Sequence, residues 1–462
     1  MSALQIRETF IVKRTEFLVI AQEPDVLVHA REVAEFFGFN SEFFSTADGL
    51  EAEAVTKTSP LVVLVSLLDN ADLESSLAAV GQVRKLYARS QVIAVIHGDE
   101  LLEDLAQLQV AGVDRFIRHH EMQATSKFYF LCSLLIHGTY LPVPLTDLFP
   151  ETTVGFNAFH KLPINQNYLP VIFAGFVFSD KKSRRLENFP QVYVRREDLN
   201  NYRKYIETYH DNRGSALKKR CRAMMMSLMG IYSELILLLS LDPGQDPDQL
   251  QALLNQFSQM SFELGDSLKD CPDAWNVIAQ SLQFQFCRNE RGPFVLAYAM
   301  YIAPQIGLMS LREIALATLL SDLGLLELPS TCYRQLQQRG ALLLNPGDME
   351  KYQRHPLASL GRAMAQEVSL SEELKVILLG VHERADEKGF PNQLSAKMLP
   401  LESQLIHFCK KMDRRVRSAL EDGIITHDFV RKQVWEEEKS ALNCFTLEFL
   451  DKIEKVVATP VA

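Results

Sequence analysis

Three largely apolar runs in the first hundred residues constrain this chain more than any other feature: FLVIA at Phe17–Ala21, LVVLVSLL at Leu61–Leu68 and QVIAVIH at Gln91–His97. Successive side chains of a strand point to opposite faces, so a run that is apolar at both parities must be covered on both sides. A helix-like stretch follows the first run as far as Phe37, and Ala111–Ile117 leads into a fourth strand. Strands of this kind alternating with amphipathic segments predict an α/β fold, a doubly wound parallel sheet, over residues 1–139.

The texture then changes. From Pro142 to about His210, six prolines punctuate short aromatic and β-branched runs such as Val171–Phe178 and Val192–Val194. This predicts a small β-rich module over residues 140–212, ending in a helix at Arg196–Tyr209. Residues 213–462 read as helical throughout, with apolar residues at three- and four-residue spacing in Gln249–Leu268. Further helices are expected around Phe294–Ile302, Leu311–Leu320, Leu374–Leu379 and Leu405–Val416. A chain of 462 residues has room for about three domains at roughly 100–200 residues each.

The net charge of −10 argues against non-specific binding to DNA or RNA. Two basic clusters, Lys181–Arg185 and Arg195-Arg196, are read as solvated faces, with phosphate binding as the alternative. Seven cysteines without a C-x-x-C pair fit reduced thiols and a cytoplasmic location. The run Ala223–Leu241 is nearly long enough to span a bilayer, yet it carries Glu234 near its middle. It reads as a buried or dimer-forming helix rather than a membrane span, and a homodimer through this segment is expected.

The order and spacing of the N-terminal runs, with Gly112-Val113-Asp114 before the last strand, resemble a response-regulator receiver domain. That resemblance implies clustered carboxylates for magnesium and a phosphoryl-accepting aspartate. Only Glu23 of Gln22-Glu23 is acidic, Ser66 stands at the acceptor place with Asp69 three residues late, and His119-His120 replaces the family's Lys-Pro. A degenerate receiver that is not switched by phosphorylation is therefore expected. The middle block resembles the small β module, loosely related to PilZ N-terminal extensions, that precedes HD-GYP domains.

Three later segments carry a second resemblance: Ser321-Asp322-Leu323-Gly324, His355-Pro356, and VHERADEKGFP from Val381 to Pro391. In that order they resemble the HD-GYP family of cyclic-di-GMP phosphodiesterases, which implies an all-α bundle with a metal centre of His and Asp ligands. Asp322, His355 and His382 keep their places in the family frame, as do Glu383, Gly389, Pro391 and Gly361, while Phe390 replaces the tyrosine. Arg291, Ser321, Val381 and Lys410 stand where the family places ligands, and Leu325 stands where it has a lysine. Asp413 matches a nearby acid.

Two cations in ligand places and the missing imidazoles oppose a dinuclear centre, so no catalytic residue and no cofactor are expected, at most one weakly held metal ion. The expected function is that of a catalytically inactive bacterial signalling protein acting by protein contact, with cyclic-di-GMP as a candidate ligand. The alternative is an active metal-dependent cyclic-di-GMP phosphodiesterase with an atypical metal site. A third reading, the non-catalytic HDOD scaffolds, is disfavoured by the retained His382-Glu383 and Gly389-Phe390-Pro391.

Overall fold

The computed structural model describes residues 14–50, 59–67, 73–97, 102–162, 167–209, 215–240, 247–271, 274–283, 291–339, 344–421 and 427–457. Internal contacts group the chain into two compact units, and not at the expected boundaries of 139 and 212. One comprises Met1–Gln123 and Pro142–Arg195, the other Ala124–Leu141 and Arg196–Ala462.

In the first unit, β1 (Phe17–Ile20), β2 (Ser41–Phe44), β3 (Val62–Ser66), β4 (Gln91–Ile96) and β5 (Arg115–Arg118) form one sheet in the order β2-β1-β3-β4-β5. Every pairing is parallel. This is one of the two common doubly wound orders, in which the polarity of the crossovers reverses beside β1. The apolar runs became β1, buried throughout, and β3 and β4, buried except at Ser66 and Gln91. The strand that pattern reading missed, β2, is SEFF at the sheet edge, and all four residues are half-buried. An edge strand lacks the two-faced burial that makes a run conspicuous.

The helix Pro24–Phe37 buries Val26, Ala30, Val33 and Ala34, one stripe at helical spacing, and ends at Gly38 in a left-handed cap with φ 72°. Gly112-Val113-Asp114 has a concrete role here. Asp114 accepts hydrogen bonds from Arg84 Nη2 at 2.5 Å and from the Val92 backbone at 2.6 Å, pinning β5 to β4. Arg84 also donates to Gly112 O, and a side chain at Gly112 would collide with it. A four-stranded sheet is formed by β6 (Tyr140–Pro144), β8 (Ala158–Lys161), β9 (Tyr168–Ile172) and β11 (Gln191–Arg195), in the order β6-β11-β8-β9. A short ribbon pairs β7 (Thr152–Thr153) with β10 (Val177–Phe178).

The second unit is helical. At its centre lies Gly292–Ile302, buried nearly all round through Phe294, Val295, Leu296, Tyr298 and Met300. A helix apolar on every side must be enclosed, and Ser215–Ser240, Pro247–Lys269, Leu311–Leu320 and Leu401–Glu421 enclose it. Lys127–His137, which lies within the block expected to run to residue 139, belongs here instead. The Ser126 hydroxyl donates to Leu325 O at 2.6 Å, and Lys127 lies 3.8 Å from Glu327. The helix expected to close the β module, observed as Leu199–Tyr209, also falls in this unit.

The apolar helix is resolved as a core element. Ala216–Ser240 is the one described helix long and apolar enough to cross a membrane, but 83% of its most apolar window is buried inside the protein. Leu235 and Leu239 are fully buried, and the carbonyl of Leu239 accepts from Arg362 Nε at 2.9 Å. Of the two expectations for this segment, a buried helix or one that joins two copies, the first is met by the neighbouring helices of the same chain.

Candidate functional site

Four segments of the helical unit converge on one point. Asp322 follows the C-terminus of Leu311–Leu320, and Gly324 two residues on lies so close to the next element that a Cβ there would meet His355 O at 2.0 Å. The Gly324 backbone donates to Ser359 Oγ at 2.7 Å, locking this turn against the helix that His355 opens. His382 follows Glu372–Gly380, whose Ser371 cap accepts from the Leu374 backbone at 3.1 Å. Lys410 comes from the middle of Leu401–Glu421.

Among the described residues, Asp322, His355 and His382 offer one ligand atom each, all within 4.8 Å of one another. His355 Nε2 lies 3.2 Å from His382 Nε2, and these atoms lie 3.8 and 3.9 Å from Asp322 Oδ1. The Nδ1 proton of His355 is engaged by Tyr352 O at 2.6 Å, so Nε2 presents a lone pair to the cluster. Two imidazoles and a carboxylate aimed at one point form a cation's coordination shell, and the Lys410 ammonium supplies a cation. Its Nζ stands 2.9 Å from Asp322 Oδ1 and 3.3 Å from His382 Nε2.

The charges are mutually tuned. Burial pushes His355 down to about 4, against the pull of Asp322, and drives His382 well below its usual range, with Lys410 adding to the effect. Both rings are therefore neutral near pH 7, the form that coordinates. Burial opposes the charge on Asp322, but Lys410 and His355 outweigh it and hold the carboxyl below the usual range. Lys410 is lowered by burial and by the neighbouring guanidiniums of Arg291 and Arg414, while Asp322 keeps its ammonium in place.

Asp322, His355 and His382 are the described residues that would hold a metal of the kind the family frame implies, and the Lys410 ammonium competes with it. The ammonium is hydrogen-bonded to two of the three ligand atoms, Asp322 Oδ1 and His382 Nε2. Ser321 turns into its own helix, donating to Thr318 O at 3.1 Å, and Val381 is fully buried. Arg291 is drawn aside by Asp413, 2.8 Å away, and adds a contact to Lys410 O at 3.3 Å. Leu325 lies in the turn after Asp322, with its carbonyl held by Ser126.

The segment after His382 forms a lid. Phe390 stacks on His382 with ring centroids 5.0 Å apart and planes within 8°, and it meets Tyr352 edge-on at 5.5 Å. The Phe390–Pro391 peptide bond is cis. Gly389 is required by close approach, since a Cβ would come 2.4 Å from Glu383 Cα. Glu383 is buried and accepts from the backbone N–H groups of Asn392 at 2.5 Å and Leu394 at 3.0 Å. Hydrogen bonds to a charged acceptor contribute about 1.5–3 kcal/mol each. Glu383→Ala is thus expected to speed amide exchange at Asn392 and Leu394 by about 100-fold while global helicity stays intact. Unchanged protection at both amides would remove this role from Glu383.

Sequence reading missed Tyr352, His407 and Arg414. His407 Nδ1 faces Glu383 O at 3.3 Å, and its ring lies 6.4 Å from that of His382. A signal was present: His407, Lys410 and Arg414 recur at three- and four-residue spacing, one face of a helix.

In the first unit, the carboxyl edge of the five-stranded sheet gathers a second polar group. Ser66 Oγ lies 3.0 Å from His97 Nε2, which also faces Glu23 Oε1 at 3.4 Å. His97 packs on His119 with centroids 4.5 Å apart, and His119 Nε2 pairs with Asp25 Oδ2 at 2.8 Å. Burial opposes the Asp25 charge, but the Val26 backbone N–H and then His119 lower its carboxyl. His97 and Asp25 were not singled out from sequence, and Asp69 lies outside the described residues.

Residues 274–420, the span that contains Asp322, His355, His382 and Lys410, match the family model of the HD domain. This segment is therefore an HD-type domain. No curated protein sequence matches the chain. Among solved structures, Bd1817, a HDG"Y"P protein from Bdellovibrio bacteriovorus, is similar at 16% identity, covering 69% of this chain and 100% of that chain, with a TM-score of 0.45.

Proposed function

We propose that the helical unit is a degenerate HD-GYP-type domain that does not hydrolyse cyclic-di-GMP and works as a signalling module through contact with other proteins. The observation that carries this reading is the position of Lys410 Nζ, 2.9 Å from Asp322 Oδ1 and 3.3 Å from His382 Nε2. An internal ammonium satisfies the carboxylate and the imidazole without a metal, and so supplies no activated water. Cyclic-di-GMP is the proposed ligand, since Arg291, Lys410 and Arg414 cluster around the site and suit a phosphodiester anion. The homodimer remains a proposal too.

The deciding experiment joins metal analysis of the purified chain to a cyclic-di-GMP hydrolysis assay with added manganese or iron. Less than one equivalent of metal and no turnover are expected. Turnover of about 1 s⁻¹, the low end of ordinary enzymes, would overturn the reading. One specific observation favours the alternative, an atypical phosphodiesterase: three ligand atoms within 4.8 Å of one another. Two or more equivalents of bound metal would select it.

The five-stranded unit is proposed as a receiver-like module that aspartyl phosphorylation does not switch. Support comes from Ser66 at the end of β3 and from His97 bonded to both Ser66 and Glu23. Acetyl phosphate with magnesium is expected to leave the intact mass unchanged; an added phosphoryl group lost on Asp69→Ala would refute this.

A further inference from the structure

The loop between β9 and β10 is built to hold apolar side chains out in solvent. Phe173, Ala174, Gly175, Phe176 and Val177 are five consecutive exposed residues, with Phe173 at 47%, Phe176 at 68% and Val177 at 53% exposure. Leu169 on β9 adds a further exposed aliphatic group. The backbone beneath is ordered: Gly175 N–H donates to Val154 O at 2.8 Å, Ala174 N–H to Asn157 Oδ1 at 3.1 Å, and Phe176 N–H to Phe173 O at 3.3 Å. Gly175 takes a positive φ of 80°, which the tight reversal requires. Phe178, the next residue of that strand parity, is buried, so the ribbon is anchored while its tip is not. An unbroken apolar run on a surface marks an interaction site.

The chemistry beside the tip selects the partner. The helix Asp180–Leu186 begins three residues after Val177, and Lys182 Nζ lies 5.4 Å from the centre of the Phe173 ring. Arg184 is matched by Asp180 at 2.6 Å, and Glu187 lies at the helix end. Lys181 and Arg185 are exposed and carry no ion pair among the described residues. Against Asp180, Glu187 and Glu151, which accepts from the Asp180 N–H at 2.6 Å, the four cations Lys181, Lys182, Arg184 and Arg185 leave a local positive excess on a chain of net charge −10. Exposed aromatics with lysine and arginine beside them match the boundary between headgroups and acyl chains, where aromatic rings settle and cations meet anionic lipid. A narrow tip of five residues is far smaller than the roughly 800 Å² per partner that a stable protein interface buries.

We propose that the Phe173–Val177 loop and the adjacent Lys181, Lys182 and Arg185 form a peripheral docking surface for an anionic phospholipid bilayer. The loop inserts its two phenylalanine rings and Val177 at the interface, and the cations hold the anionic headgroups.

The test is co-sedimentation of the full chain with phosphatidylcholine vesicles prepared with and without phosphatidylserine. Binding is expected only with phosphatidylserine, weakening as salt is added. Phe173→Ser with Phe176→Ser, and separately Lys181→Glu with Arg185→Glu, are each expected to lower the bound fraction's affinity by at least about tenfold. All four side chains are exposed, so circular dichroism and melting should match the unaltered protein. Failure of the unaltered chain to bind phosphatidylserine vesicles overturns the proposal, as does undiminished binding by either variant. Retention of RNA or DNA by the same cations without vesicle binding also overturns it, in favour of a nucleic-acid face.

Discussion

Lys410→Asp is expected to convert the centre into one that binds manganese or iron at least about 1,000-fold more tightly than the unaltered chain. The substitution removes a positive charge from a point 2.9 Å from Asp322 Oδ1 and places a fourth ligand beside Asp322, His355 and His382. Two unit charges about 4 Å apart interact by about 4 kcal/mol at an effective dielectric of 20, and the change here is two charge units against a divalent ion. Asp322 is 38% exposed, so solvent screening removes a large part of that. Even about 4 kcal/mol surviving is a factor of roughly a thousand. Calorimetric titration with manganese reads the effect directly, and the melting temperature should rise with added metal in the variant alone. Lys410→Ala separates relief of repulsion from gain of a ligand and should fall between the two. Equal affinities for Lys410→Asp and the unaltered chain would show that the ammonium is not what keeps metal out.

The second large effect concerns the arginine that does not reach the centre. Asp413 is fully buried, 2.8 Å from Arg291 Nε and 3.4 Å from Arg417 Nε. Removing one partner of a buried ion pair costs about 3–5 kcal/mol, because the remaining charge is left uncompensated. Both guanidiniums retain some exposure, which places the expected loss for Asp413→Ala near the lower end, about 3 kcal/mol. Urea unfolding should show a lower midpoint with an unchanged slope. A loss below about 1 kcal/mol, the range of surface pairs, would mean that water screens this cluster far more than its burial implies.

Much of the architecture followed from local pattern. Runs apolar at both parities became β1, β3 and β4, and Leu311–Leu320 forms the helix read from its spacing. What escaped was set by position, not by composition. The strand Ser41–Phe44 is half-buried because it lies at an edge, and an edge leaves no strong signature. The unit assignment of Lys127–His137 rests on Ser126 reaching Leu325, a contact 199 residues apart that no window of sequence contains.

At the site, the sequence alone established the residue types: Ser321 and Val381 offer no imidazole, and Lys410 and Arg291 are cations. It did not distinguish the two cations. Only the packed helices decided that Lys410 enters the cluster with Asp322, 88 residues away, while Arg291 is captured by Asp413. The physical reason is that a side chain's charge belongs to its residue, whereas the partner it meets depends on which helix faces lie within a few ångströms. The same holds for Ala216–Ser240. Its apolarity is a property of composition, but its burial in the bundle exists only once the neighbouring helices are in place.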